Sequence, residues 1–272
     1  MQGKELAAAL RRGDRVYATC ITSPSAKWPP MVAGLGLDFV FIDTEHIPLG
    51  RETVAWMCQA YKALGLPPIV RVPKPDPYQA CVALDGGASG VIFPYVESVE
   101  EVRALRGAVK FRPLKGERLR KALSGEEALD AATADYLARG NENNVMIVNI
   151  ESQAALDALD AILAVPDIDA LLIGPHDLSI NLGVPEQYNH PTFLEAVSLV
   201  FRKARAAKVG AGVHFSWGME PQLAWAREGA NLIIHSSDFK ATSDALSADF
   251  RRLRESLGDQ RRATASAPED AI

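Results

Sequence analysis

The sequence has few cysteines and no segment long enough to span a membrane. Its 272 residues include three cysteines, Cys20, Cys58 and Cys81, and no two of them form a Cys-x-x-Cys pair. An odd number of widely spaced cysteines is typical of reduced thiols and argues against a disulfide framework or a zinc site. No apolar run approaches the roughly 18 residues that a transmembrane helix needs. The charged amino terminus, with Lys4 and Glu5, lacks the apolar core of a signal peptide, so we expect a cytoplasmic protein with no membrane partner.

Basic clusters and several catalytic motifs are also absent. Lys and Arg number 29 against 34 Asp and Glu, which gives a formal net charge of −5, and no Lys/Arg block appears. A mildly acidic chain of this kind argues against nucleic acid as a partner. There is no Gly-x-x-x-x-Gly-Lys phosphate loop and no nucleophile elbow. The glycine-rich run at 86–90 precedes a predicted strand, whereas a phosphate loop follows one, so we interpret it as a turn.

Short apolar, β-branched runs alternate with stretches that have apolar residues at helical spacing, such as 100–105, 154–163 and 192–207. Runs that are apolar almost throughout are typical of parallel strands buried on both faces. The predicted strands are 16–21, 38–43, 69–72, 90–94, 145–151, 169–174, 210–215 and 231–235. Eight βα units in about 250 residues predict an α/β protein with one (β/α)8 TIM barrel, which we place at residues 1–257.

Three segments stand apart from the regular alternation. Residues 112–144 are rich in charge and lie between the fourth and fifth predicted strands. A long insert on a barrel is more often a lid or a subunit contact than a structureless loop. The segment after Asp238 has apolar residues at helical spacing and is expected to pack on a barrel, its own or a neighbour's. Residues 258–272 have no apolar stripe, and we expect this tail to be disordered.

Chemically capable side chains cluster where the predicted strands end, which is where (β/α)8 enzymes place their active sites. These residues are Asp43, Glu45, His46, Arg71, Glu151, His176, Asp177, His214 and His235.

Glu151 and Asp177 end successive strands, which are neighbours about 4.8 Å apart in a barrel. Two carboxylates that close repel each other, and one takes up a proton unless a cation lies between them. An all-oxygen site with open positions suits Mg²⁺ or Mn²⁺. The alternative is that Glu151 pairs with an arginine while Asp177 caps the helix that begins at Leu178.

Arg71 lies between two valines on an apolar strand, where a guanidinium has to be paired. Its partner is either an oxygen of a substrate carboxylate or enolate, or one of Asp43, Glu45 and Asp85. His46 follows Asp43 by three residues and is a candidate general base held in its tautomer by a carboxylate. The alternative is a loop histidine with a satisfied hydrogen bond.

Five motifs together resemble the HpcH/HpaI aldolase family, and within it the class II pyruvate aldolases. The likeness covers about residues 1–257, and its most specific part is the 26-residue spacing between Glu151 and Asp177. The motifs are Asp-Phe-Val-Phe-Ile-Asp-Thr-Glu-His at 38–46, Val-Arg-Val at 70–72, Gly-Ala-Ser-Gly-Val-Ile-Phe-Pro at 87–94, Ile-Glu-Ser at 150–152 and Ile-Gly-Pro-His-Asp-Leu-Ser at 173–179.

The resemblance implies a lyase that cleaves or forms 4-hydroxy-2-oxo acids through a metal-bound pyruvate enolate, with a 2-oxo acid and an aldehyde as its small-molecule partners. It implies a divalent cofactor, Mg²⁺, Mn²⁺ or Co²⁺, and a homo-oligomer, a hexamer built as a trimer of dimers in which the last helix is exchanged between subunits. The catalytic candidates are then His46, supported by Asp43 and Asp85, and Arg71, which would contact the keto oxygen. The metal ligands would be Glu151 and Asp177. The substrate-binding candidates are Gly174, Pro175, His176, Asn149 and His214.

Several positions depart from the family pattern. Ile47 stands where a glycine is common, Asn149 where a glutamine is frequent, and His176 where a small residue is usual. The loop at 116–119 lacks the second family glycine, and strands seven and eight end in bulky residues. These changes surround the part of the site that would bind the aldehyde, so three alternatives to an aldolase stay open. They are an oxaloacetate decarboxylase, a citrate-forming condensing enzyme, and a barrel that binds a 2-oxo acid without turnover.

Overall fold

A computed structural model describes residues 1–259 and forms a closed barrel of eight parallel strands. Each strand pairs with the next along the chain, and the eighth pairs with the first. The predicted (β/α)8 TIM barrel is therefore confirmed. The strands are β1 (Val16–Ile21), β2 (Val40–Asp43), β3 (Pro68–Arg71), β4 (Gly90–Phe93), β5 (Val145–Ile150), β6 (Ala170–Ile173), β7 (Gly210–Phe215) and β8 (Leu232–Ser237).

Helices separate the strands as the sequence predicts, although the stretch at 154–163 forms two short helices. Within residues 1–259 no helix is long and apolar enough to cross a membrane. The helices are α1 (Gly3–Arg12), α2 (Trp28–Ala33), α3 (Arg51–Ala63), α4 (Pro77–Asp85), α5 (Val99–Lys110), α6 (Gly116–Ser124), α7 (Ala131–Asn141), α8 (Gln153–Asp157), α9 (Leu159–Leu163), α10 (Pro175–Asn181), α11 (Pro191–Ala206), α12 (Glu220–Glu228) and α13 (Asp238–Leu257).

The barrel interior and the layer between strands and helices form two separate apolar clusters. Successive strand residues point to opposite faces, so Phe41 and Ile147 lie inside the barrel while Ile42 and Val148 face the helices. Leu6 of α1 joins the interior cluster, so this helix closes the amino-terminal end of the barrel. The same alternation carries later residues of each strand into the interior at the carboxyl-terminal end, where the candidate site lies.

The insert at 112–144 consists mainly of α6 and α7. It connects the end of α5 to the start of β5, and both of these points lie at the amino-terminal end of the barrel. Consistent with this placement, Lys110 donates hydrogen bonds to the backbone carbonyl of Asn144 and to Asp169, which precedes β6. The insert therefore does not cover the carboxyl-terminal end of its own barrel, and a subunit contact stays a prediction.

The last described helix projects from its own barrel. Apart from Asp238, the residues of α13 are exposed or only partly covered, and the helix contacts β1 and β8 near its start. Gly258 in the left-handed conformation ends it. Most of the tail predicted at 258–272, from residue 260 onward, lies outside the described residues.

Candidate active site

A buried arginine and two acidic side chains occupy the carboxyl-terminal end of the barrel interior. Arg71 donates from Nε to Oδ1 of Asp43 and from Nη2 to Oδ2, both at 2.8 Å, and its Nη1 lies 3.2 Å from Oε2 of Glu45. Burial by itself raises the pKa of Asp43, but the hydrogen bonds from Arg71 outweigh burial and hold this pKa below its usual value. The carboxylates therefore fix the guanidinium at the end of β3 in the free chain.

Glu45 connects Arg71 to His46. Its Oε2 lies 3.6 Å from Nε2 of His46, and burial raises the pKa of Glu45 to about 7 although Arg71 opposes this shift. Burial and the nearby Arg71 cation lower the pKa of His46. His46 is therefore neutral near pH 7 and can accept a proton. Within residues 1–259 it makes no hydrogen bond to Asp43, whose oxygens are held by Arg71 and by the backbone N–H of Glu45.

The fold does not bring Asp85 to His46 within one chain. Asp85 is the last residue of α4, at the amino-terminal end of the barrel, where it pairs with Arg112. The resemblance implies support of His46 by this carboxylate, whereas the chain reverses direction through α4 and carries it to the opposite end. Asp85 is also excluded, within the chain, as the partner of Arg71.

Glu151 is buried at the end of β5 with both carboxylate oxygens held. The backbone N–H of Tyr95 donates to Oε2 at 2.7 Å, and the amide of Asn149 donates to Oε1 at 2.8 Å. A Cβ at Gly174 would lie 2.0 Å from Oε1, so this carboxylate requires glycine there. Burial raises the pKa of Glu151, and Asp177 adds to the shift. Among the described residues no arginine pairs with Glu151 within 4.0 Å, so that alternative is wrong.

Asp177 lies in the first turn of α10, directly after β6, and lines the same cleft as Glu151. Gly174 occupies the N-cap position and no side chain caps the helix, so the proposed capping role of Asp177 is wrong. Pro175 and His176 line the cleft beside it, and Nδ1 of His176 lies 3.4 Å from Oε1 of Glu186. The Asp177 side chain is thus available to a ligand in the cleft.

The donor set of this cleft fits a divalent cation with open coordination positions. In the described part of the chain, no three His, Cys, Asp or Glu side chains converge on one point, which excludes a closed protein cage there. Two carboxylates can nevertheless hold Mg²⁺ or Mn²⁺ when water and substrate supply the remaining ligands. Oδ1 of Asn149 is buried without a hydrogen-bond partner, which adds an unused oxygen next to Glu151. Such an atom is costly unless a ligand or water satisfies it.

His214 lines the cleft as a neutral side chain. It is buried at the end of β7, its Nε2 lies 3.1 Å from the backbone oxygen of Ser236, and its ring packs edge-on against Phe41 with centroids 5.3 Å apart. A carbonyl only accepts, so Nε2 carries the proton. Burial and Arg71 lower the pKa of His214 to about 4. His235 on β8 contributes no group to this cleft, because its neighbour Ile234 takes the inward position.

The buried imidazole makes stability depend on pH. Between the usual histidine pKa and about 4, the unfolded chain binds a proton that the folded chain does not, so stability falls as pH decreases through this window. We expect His214 to account for a loss of about 3 kcal/mol in the free energy of unfolding between pH 7 and pH 4. Urea unfolding of wild type and His214→Gln across this range measures it. Parallel pH profiles for the two proteins would contradict the assignment.

Three residues in or next to the cleft are not among the site residues predicted from the sequence. Glu45 was considered only as a partner of Arg71, and its position next to Asp43 and His46 was a usable signal. Tyr95 acts through its backbone N–H in a left-handed conformation with φ of 49°, which nothing in the sequence indicates. Trp217 lines the cleft after β7, and the bulky residues noted at that strand end were its signal.

Comparisons with known proteins show which family this chain resembles in sequence and in fold. The family model described as HpcH/HpaI aldolase/citrate lyase matches residues 22–245. The 2-keto-3-deoxy-L-rhamnonate aldolase of Escherichia coli O9:H4 (strain HS) is 33% identical over 239 residues, which cover 87% of this chain and 88% of the relative. The crystal structure of an HpcH/HpaI aldolase from Desulfitobacterium hafniense DCB-2 has a TM-score of 0.79 at 25% identity, with 91% and 96% of the chains covered. The citrate synthase SbnG gives 0.79 at 28% identity, with 93% and 99% covered.

Proposed function

Because this chain belongs to the HpcH/HpaI aldolase/citrate lyase family and is an aldolase-type lyase, we propose that it cleaves and forms 4-hydroxy-2-oxo acids through a pyruvate enolate. One observation carries the proposal: the carboxylates of Glu151 and Asp177 and the guanidinium of Arg71 line a single cleft at the carboxyl ends of the strands. Carboxylates that hold a cation, next to a fixed arginine, suit a reaction in which negative charge develops on an oxygen.

Glu151 and Asp177 are the residues that would hold the divalent cation, Mg²⁺, Mn²⁺ or Co²⁺, with Asn149 positioning Glu151 through its amide. When bound, such an ion supplies Lewis acidity toward the carboxylate and keto oxygens of a 2-oxo acid. The first-turn N–H groups of α10, at His176 and Asp177, have no carbonyl partner within the helix and are available to the substrate carboxylate.

Arg71 and His46 carry the bond-breaking step. His46 takes the proton from the 4-hydroxyl group, directly or through a water, because its lowered pKa leaves the imidazole neutral. The C3–C4 bond then breaks, its electron pair moves toward the C2 oxygen, and the aldehyde leaves. Arg71 donates hydrogen bonds to that oxygen as the enolate forms. Asp43 holds the guanidinium in place throughout, so no reorganisation is needed when the charge develops.

Cleavage of a synthetic 4-hydroxy-2-oxo acid tests the proposal directly. With purified protein and Mg²⁺ or Mn²⁺, we expect pyruvate and aldehyde to appear in equal amounts, and we expect chelator to stop the reaction until metal is returned. Pyruvate can be followed with lactate dehydrogenase and the aldehyde by chromatography. Full activity in excess chelator would contradict the metal assignment, and binding of a 2-oxo acid without turnover under any metal would support a binding-only barrel.

A second candidate is a condensing enzyme or decarboxylase that uses oxaloacetate. The observation in its favour is the similarity to the citrate synthase SbnG over 93% of this chain. The same groups would serve both reactions. Loss of CO₂ from oxaloacetate leaves a pyruvate enolate, and attack of an acetyl-CoA enolate on the keto carbon of oxaloacetate places negative charge on the same C2 oxygen. Turnover of oxaloacetate, with or without acetyl-CoA, together with no cleavage of 4-hydroxy-2-oxo acids would favour this candidate over the aldolase.

We also propose that the chain forms a homo-oligomer through α13, in agreement with the hexamer implied by the resemblance. Asp238 anchors the start of this helix by accepting hydrogen bonds from the backbone and hydroxyl of Thr22 and from the indole of Trp28. Beyond that anchor, an apolar stripe is exposed, formed by Phe239, Leu246, Phe250, Leu253 and Leu257. A neighbouring barrel is the natural cover for such a stripe.

Disruption of that stripe should dissociate the assembly. We expect light scattering to give a multiple of 29.4 kDa for wild type, and a smaller mass for Leu246→Glu and for a chain truncated before Asp244. Ala248→Glu places the same charge on the opposite side of the helix and should leave the mass unchanged. A monomeric wild type at micromolar concentration would contradict the proposal.

A further inference from the structure

Two clefts meet at one aromatic side chain. The catalytic cleft is small, with a volume of about 40 Å³, and Trp217 forms part of its wall. A second cleft of about 570 Å³ lies between residues 186–191 and the start of α12. Of the described residues that line these two clefts, Trp217 is the one that lines both. The indole therefore separates the reacting centre from a much larger space.

Neighbouring aromatic rings hold this indole in place. Tyr188 stacks on Trp217 with ring centroids 6.1 Å apart and an interplanar angle of 21°. Phe215 meets Trp217 edge-on at 5.5 Å and is itself backed by the buried ring of Trp225 at 5.1 Å. Offset and edge-on ring pairs are favourable beyond the burial of their surface, so rotation of the indole away from the cleft would lose several such contacts together. Trp217 is a rigid wall in this arrangement.

We propose that Trp217 limits the size of the aldehyde that this enzyme accepts, a refinement that rests on the proposed aldolase function. Pyruvate occupies the end of the cleft near Glu151, Arg71 and the first turn of α10. The aldehyde carbon then faces His46, and the rest of the aldehyde extends into the part of the cleft that Trp217 borders. A short aldehyde fits in front of the indole. A long or aromatic aldehyde meets the ring and has no access to the larger cleft behind it.

Condensation of pyruvate with two aldehydes of different size tests this inference. We expect wild type to prefer propanal over 3-phenylpropanal. Trp217→Ala joins the two clefts and should raise the kcat/KM ratio of 3-phenylpropanal to propanal about tenfold or more, because pocket contacts of this size discriminate on that scale. Trp217→Leu shortens the same wall while keeping an apolar side chain, and it replaces the alanine variant if that protein does not fold.

A matched variant shows whether a change in the ratio comes from removal of the Trp217 side chain or from general disturbance of the neighbouring aromatic rings. Trp225→Phe alters the ring behind Phe215 but lines neither cleft, so it should keep the wild-type ratio. An unchanged ratio in both Trp217 variants, or a wild type that prefers 3-phenylpropanal, would overturn the inference while leaving the aldolase function intact. Condensation with neither aldehyde would instead overturn the proposed function, and this inference with it.

Discussion

Replacement of Glu151 by Gln is expected to lower kcat/KM for cleavage of a 4-hydroxy-2-oxo acid by about a thousandfold or more, because a neutral amide is a poor ligand for a hard divalent cation. The variant is nearly isosteric, so the packing against Gly174 is retained. It also removes a carboxylate whose pKa is raised by burial and by Asp177. We therefore expect the metal-free variant to stay folded near neutral pH, with its amide oxygen accepting from the backbone N–H of Tyr95 and its NH₂ group donating to Oδ1 of Asn149 once that amide turns.

Thermal unfolding with and without Mg²⁺ or Mn²⁺ distinguishes lost metal binding from a lost fold. A cation that binds only the folded chain raises the melting temperature of wild type as its concentration increases, and Glu151→Gln should lose most of that rise. Glu142→Gln is a suitable control, since Glu142 pairs with Lys4 at the opposite end of the barrel. If Glu151→Gln kept wild-type cleavage and wild-type stabilisation by the metal, Glu151 would not be a metal ligand.

Replacement of Arg71 by Lys is expected to reduce cleavage by about a hundredfold or more although the positive charge is kept. The guanidinium uses Nε and Nη2 to bind both oxygens of Asp43, which leaves it fixed relative to the substrate. A lysine provides one ammonium on a flexible stem and cannot make that pair of bonds while donating to the enolate oxygen. The cation that stabilises the developing enolate charge then no longer has a fixed position.

The control for this prediction is Arg106→Lys, which makes the same change in a pair with Asp167 that lies outside the candidate site and should retain activity. Steady-state kinetics should show the loss for Arg71→Lys mainly in kcat, since the interaction strengthens as charge develops in the transition state. Isothermal titration with pyruvate in the presence of metal checks binding separately. Unchanged kcat with only a higher KM would assign Arg71 to substrate binding alone.

The barrel could be predicted from the sequence because a parallel strand covered on both faces has little room for polar side chains. Runs such as 145–148 and 170–173 are therefore visible as continuous apolar segments. Helix α1 was not predicted, although Leu6 and Leu10 have helical spacing and Gly13 ends the helix in the left-handed conformation. The burial of Leu6 inside the barrel depends on closure of the sheet and could not be predicted from the local pattern. The two helices of the insert, α6 and α7, were not predicted either, because charged residues dominate that segment.

The candidate site could be predicted in part for a similar reason. Adjacent strands end side by side, so the juxtaposition of Glu151 and Asp177 follows from strand order alone. Within one chain the direction of α4 carries Asp85 to the opposite end of the barrel, so the support of His46 that the resemblance implies stays a prediction. The wall formed by Trp217 depends on contact with Tyr188 from a different loop, and such long-range packing leaves no local pattern.

The most direct measurement of the central claim is hydrogen exchange at the methyl group of pyruvate. An enzyme that stabilises a pyruvate enolate also forms it from pyruvate alone, so the methyl signal in proton NMR should disappear in D₂O with protein and Mg²⁺ faster than with Mg²⁺ alone. Arg71→Lys should slow this exchange strongly. His46→Ala should retain part of it yet lose cleavage of the 4-hydroxy-2-oxo acid, which needs proton removal at the hydroxyl group. Exchange no faster than the metal control, from protein shown to bind Mg²⁺ and pyruvate, would contradict the enolate mechanism.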